Sequence, residues 1–135
     1  MRDFAERLIA LETNRDKSSM DRTEPSFFAG EKLRPHLVTL MSNVGTSALM
    51  SRALVLSCVE IPWLRTVRVK ADGSMEGLDK LAVRMHSEEF RQGRVILLAQ
   101  LLGLMVALIG ERLTLWLVAE AWPELSPHNL DFGEK

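Results

Sequence analysis

With a single cysteine, Cys58, the chain cannot staple itself with a disulfide, which fits a reducing cytoplasm better than a secreted setting. Its neighbours Leu56, Ser57, Val59 and Ile61 offer no positive charge to activate a thiol, so Cys58 reads as a small core residue. An excess of either charge is also missing: 17 Lys and Arg stand against 18 Asp and Glu, leaving no long-range field to draw in nucleic acid or an anionic membrane. The densest basic group, Arg65, Arg68 and Lys70, has only Trp63 beside it where a nucleic-acid site would add several stacking aromatics, so nucleic acid is not an expected partner. The three histidines, His36, His86 and His128, are far apart, with no pair at i, i+4 and no Cys–His spacing, and no metal site is expected. Glycine-rich phosphate loops, the GxSxG elbow and the Rossmann fingerprint are absent, so neither catalytic residues nor cofactors are expected. His86-Ser87-Glu88-Glu89 holds a base and carboxylates, but a helix cap at Ser87 explains it more simply. Acidic residues within Met1-Arg2-Asp3-Phe4-Ala5-Glu6-Arg7 distinguish the N-terminus from a signal peptide, and the expected location is cytoplasmic.

What is present is apolar surface, 47% of the residues, enough for one core in a chain of 135. Phe4, Leu8, Ile9 and Leu11 make a narrow stripe on a short amphipathic helix. From Thr13 to Ser26 only Met20 is large and apolar, so this stretch reads as a linker. The expected division is an N-terminal segment with its linker, 1–26, and a helical domain, 27–135. Leu33, Leu37, Leu40, Met41 and Val44 recur at helical spacing, with Pro35 tolerable at a first turn or a kink and Asn43-Val44-Gly45 ending the helix. Thr46 or Ser47 would cap a second helix that runs to Pro62, antiparallel to the first. Thr66-Val67-Arg68-Val69-Lys70 alternates like a strand before the Asp72-Gly73 turn; an irregular excursion is the first expectation and a small hairpin the second. A modest helix at 76–85 follows, then a long one from Glu88 to Trp122 with a bend at Gly110 as an option.

Inside that long helix, VILLAQLLGLMVALIG has Gln100 as its only polar side chain, and a helix apolar all round must be covered all round. Leu98, Leu101, Leu102, Met105, Leu108, Ile109 and Trp116 fall on one face; Ala99, Gly103, Ala107, Gly110 and Thr114 fall on the other. Small residues let a second helix approach closely and offset the cost of an interior glycine, about 1 kcal/mol, so this line is the candidate partner interface. The run stops after 16 residues at Glu111-Arg112, short of the roughly 20 a membrane span needs. Arg94 and Arg112 sit where both could snorkel from a short span, which keeps a membrane-associated alternative.

Arg52, Glu60, Trp63 and Arg65 form the least ordinary polar group, because two charges emerge from an otherwise apolar helix. They would make either an ion pair at the core's rim or, in an enzyme or small-ligand binder, a pocket. The expected fold is all-α: a small bundle around a long, nearly all-apolar C-terminal helix, with a short irregular or β-hairpin excursion near 65–75. The leading expected function is noncatalytic, a helical interaction or accessory protein that dimerises with itself or packs on a partner helix.

Overall fold

The computed structural model describes residues 2–18 and 28–123, with side chains for 2–10 and 30–123 apart from Asp79, Ala82 and Ser87. It is an all-α fold with one small hairpin: α1 (Arg2–Ser18), α2 (Phe28–Glu60), a 3₁₀ turn (Pro62–Thr66), β1 (Arg68–Val69), β2 (Met75–Glu76), α3 (Leu78–Arg84), α4 (Ser87–Ile109) and α5 (Glu111–Ala121). Phe4, Ala5, Leu8 and Ile9 of α1 are buried in the same core as Leu33 and Leu37 of α2 and Leu97, Leu98, Leu101 and Leu102 of α4. The apolar stripe of α1 thus docks, and α1 continues to Ser18, so residues 13–18 are helix where composition suggested linker. The rest of that linker and the tail SPHNLDFGEK lie outside the described residues.

α2 consists of two arms, and the break between them falls at Met41 and Ser42 rather than at Asn43-Val44-Gly45. Ser42 takes φ 66° and ψ 175°. It does what the sequence suggested for glycine, with its hydroxyl facing the Gly45 N–H at 3.5 Å, in the capping position assigned to Thr46 or Ser47. Thr46 instead donates from Oγ1 to the Ser42 carbonyl at 2.8 Å. Gly30, Glu31 and Arg34 of the first arm line one cleft with Met50 of the second, so the chain folds back at the break. Pro35 lies inside the first arm, beyond its first turn, and leaves the Glu31 carbonyl without its usual helix donor.

The excursion after Pro62 is the hairpin. Arg68 pairs with Glu76 and Val69 with Met75, antiparallel. Asp72 closes it by accepting from the Ser74 N–H at 3.0 Å and the Ser74 hydroxyl at 2.7 Å. Its tip lies on α2: the Ser47 hydroxyl donates to the Lys70 carbonyl at 3.1 Å, and Gly73, at φ 90°, sits so close that a Cβ would come within 2.8 Å of Thr46 Cγ2. α3 follows from Gly77, also at positive φ. α4 starts at Ser87, one residue earlier than a Ser87 cap implies, so His86 occupies the N-cap position without a side-chain bond, while Glu88 and Glu89 lie in the first turn as expected.

The long C-terminal helix is two helices. Gly110, at φ 92° and ψ 158°, separates α4 from α5, and the Thr114 hydroxyl returns to the Gly110 carbonyl at 2.7 Å. The break turns Trp122 back towards the start of α2, where the Lys32 ammonium lies 5.2 Å over its ring. It also places Arg112 on a different helix from Arg94, so the straight spacing that would let both snorkel is not present.

Candidate functional site

α4 is the element against which α1, α2 and α5 all pack, yet the described residues cover it incompletely. Leu98, Leu101, Leu102 and Met105 of the large face are buried as expected. Of that face, Leu108 and Trp116 remain in water, 63% and 56% exposed, and Ile109 is half-buried. By length and composition α4 could cross a membrane, and 44% of that apolar window is buried inside the fold.

The small-residue line is placed unevenly. Thr114 is buried, Ala99 is half-buried, and Gly103, Ala107 and Gly110 are exposed. A Cβ on Gly103 or Gly110 would meet nothing within 4 Å, so none of the described helices approaches there. The close approach that the chain does make occurs at Gly93, where a Cβ would fall 2.3 Å from the Trp63 ring. That contact was not anticipated from sequence, because Trp63 reaches Gly93 through tertiary structure; its only local signal was a lone glycine in a helix.

Beside the open side of α4 lies a groove of about 620 Å³. Leu104, Ala107, Leu108 and Ile109 form one wall, and Leu40, Met41, Gly45, Ala48 and Leu49 of α2 form the other. Among the described residues, Arg52 is the one charged residue lining it. Along the second arm of α2 the groove continues into an exposed stripe at helical spacing, Val44, Ala48, Arg52, Val55 and Val59, whose three valines are 80%, 66% and 82% exposed. The groove exists because α2 breaks where it does: Leu40 precedes the bend, Met41 lies in it and Gly45 follows it within one turn.

The polar group expected around Arg52 is dispersed. Glu60 pairs with Arg2 of α1, Trp63 stacks on Phe90 with ring centroids 5.9 Å apart, Arg65 is exposed, and Arg52 lies at the groove. Two polar clefts are also present. One, of about 310 Å³, is lined by Glu31, Arg34, Lys70 and Ser74. Arg34 Nη2 donates to Glu31 Oε1 at 3.0 Å, a bond that raises the guanidinium's pKa, and Arg34 Nη1 lies 3.9 Å from Asp72. The other, of about 290 Å³, contains the Arg2–Glu60 pair. Each of these clefts holds an ion pair, Arg34–Glu31 in one and Arg2–Glu60 in the other, whereas Arg52 has no ion-pair partner among the described residues. His36 is half-buried, His86 is exposed and His128 lies outside the described residues; among those described, no three His, Cys, Asp or Glu side chains converge. Chemically the groove can hold an apolar body with one anionic group at its edge. No family model, curated protein or solved structure matches the chain.

Proposed function

We propose that this is a noncatalytic interaction protein that works by self-association, with the groove between α2 and α4 as its contact surface. The observation that carries this is the apolar groove bordered by an exposed valine stripe, beside a face of α4 that none of the described residues covers. Leu40, Val44, Val55, Val59, Leu108 and Trp116 leave on the order of 600 Å² in water, taking roughly 150 Å² for an aliphatic side chain and roughly 200 Å² for an aromatic one. A standard interface covers about 800 Å² per partner, so a second copy supplies cover of the right scale. Apolar surface on this scale lies at the upper end of what monomeric proteins expose, where the largest patches are often functional.

The test is Ala107→Glu, which sets a charge in the groove at an exposed position. Light scattering at micromolar concentration should give at least twice the chain mass of 15.2 kDa for the unaltered protein and the single-chain mass for the variant, with unchanged helicity. Equal masses for the two proteins would remove the groove as an interaction surface.

A further inference from the structure

Resting on the self-association proposed above, we infer that the groove receives α5 of a second copy, with the partner's Trp116 in the apolar trough and its Glu120 against Arg52. α5 buries Thr114, Leu117 and Val118 inwards, while Arg112, Trp116 and Glu120 stand exposed at i, i+4 and i+8, one stripe on the outer face. Trp116 is thus a large aromatic that the chain's own core does not use, held on a rigid helix between a cation and an anion. A half-exposed tryptophan of this kind is the residue type that most often anchors an interface.

The groove offers the complementary pattern. Ala48 and Leu49 form the trough in the second arm of α2, and Arg52 stands one turn from Ala48. From Ala48 to Arg52 is four residues, as it is from Trp116 to Glu120, about 6 Å along either axis. When Trp116 lies over Ala48, Glu120 therefore lies beside Arg52, provided the incoming α5 runs parallel to that arm. The opposite direction would set Arg112 against Arg52, like charge on like, so charge selects the orientation. Under twofold symmetry the contact occurs twice, each copy giving its α5 and receiving the other's.

Reversing charges on the full-length chain tests the pairing. Arg52 and Glu120 are both exposed, so neither reversal disturbs the subunit core. Arg52→Glu alone sets carboxylate against carboxylate at each contact, and Glu120→Arg alone sets guanidinium against guanidinium; each should weaken self-association about tenfold or more. Mixed in equal amounts, the two variants form a heterodimer in which both contacts are again of opposite charge, and sedimentation of the mixture should return to the wild-type dissociation constant. Trp116→Ala should weaken association at least as much as either reversal. A mixture no tighter than its components, or a Trp116→Ala protein that associates like wild type, overturns the pairing. If Ala107→Glu still yields monomers in that case, self-association through the groove stands and only the α5 assignment falls.

Discussion

Ser42 and Asp72 each hold a conformation that composition alone does not demand. With φ 66° and ψ 175°, Ser42 occupies a region nearly reserved for glycine, a strain on the order of 1–3 kcal/mol. Ser42→Gly removes that strain while losing a few tenths of a kcal/mol of capping and some unfolded-state advantage, so urea titration should show a gain of about 1 kcal/mol. Asp72 is held below its ordinary carboxylate pKa, first by the Ser74 hydroxyl, then by the Ser74 N–H, with Arg34 and Lys70 adding attraction. A carboxylate lowered on folding contributes stability that is complete above its unfolded pKa and is lost as pH falls through its folded value. Exchange protection of the Ser74 amide should therefore decline as pH drops below about 4, and Asp72→Asn should remove that dependence. Protection that stays level in the unaltered protein would show that the turn does not depend on the charge. Neither residue could be singled out from sequence. Asp72-Gly73 marked a turn, but its seat on Thr46 and its ion pair with Arg34 join segments far apart in the chain.

At the scale of elements, periodicity located the helices, and the optional bend at Gly110 is a full break, but the break in α2 was misplaced. The apolar repeats at Leu33, Leu37 and Met50, and at Leu98, Leu101, Leu102 and Met105, coincide with the buried core, because a helix must turn those positions to one side. The break in α2 came earlier than the glycine suggested, at a serine whose hydroxyl faces the Gly45 N–H and whose carbonyl accepts from Thr46. Two glycines of α4 illustrate what a one-dimensional pattern omits. Gly93 lies against Trp63, and a Cβ there has no room; Gly103 faces open space. In the Ala107→Glu background, where subunits are expected to be single, Gly103→Ala should raise stability by about 1 kcal/mol through helix propensity alone. Gly93→Ala should lower it by about 1–3 kcal/mol, because the ring must move. Thermal melts of the two variants should shift in opposite directions; a shift of the same sign would mean that Gly103 is packed in the subunit as well.

For the whole molecule, the excess of apolar surface was legible from composition and from a helix with no polar side, whereas the location of the uncovered part was not. Which side α1, α2 and α5 leave bare follows from the angles at Ser42 and Gly110, and those are set by tertiary packing rather than by the order of apolar residues. The balance between single and paired subunits should appear in the melting temperature. It should rise with protein concentration across about a hundredfold range for the unaltered chain and stay level for Ala107→Glu, since association stabilises the folded state by mass action. A level profile for both would mean that no association is coupled to folding. Docking of α1 and α2 on α4 has a further consequence, for the order in which the chain is made. Synthesis at roughly 5–20 residues per second releases both covering helices before the first residue of α4. The most apolar segment therefore emerges beside a surface already waiting for it, and until α5 follows only its outer side and the side that α5 will cover stay open to capture by other chains.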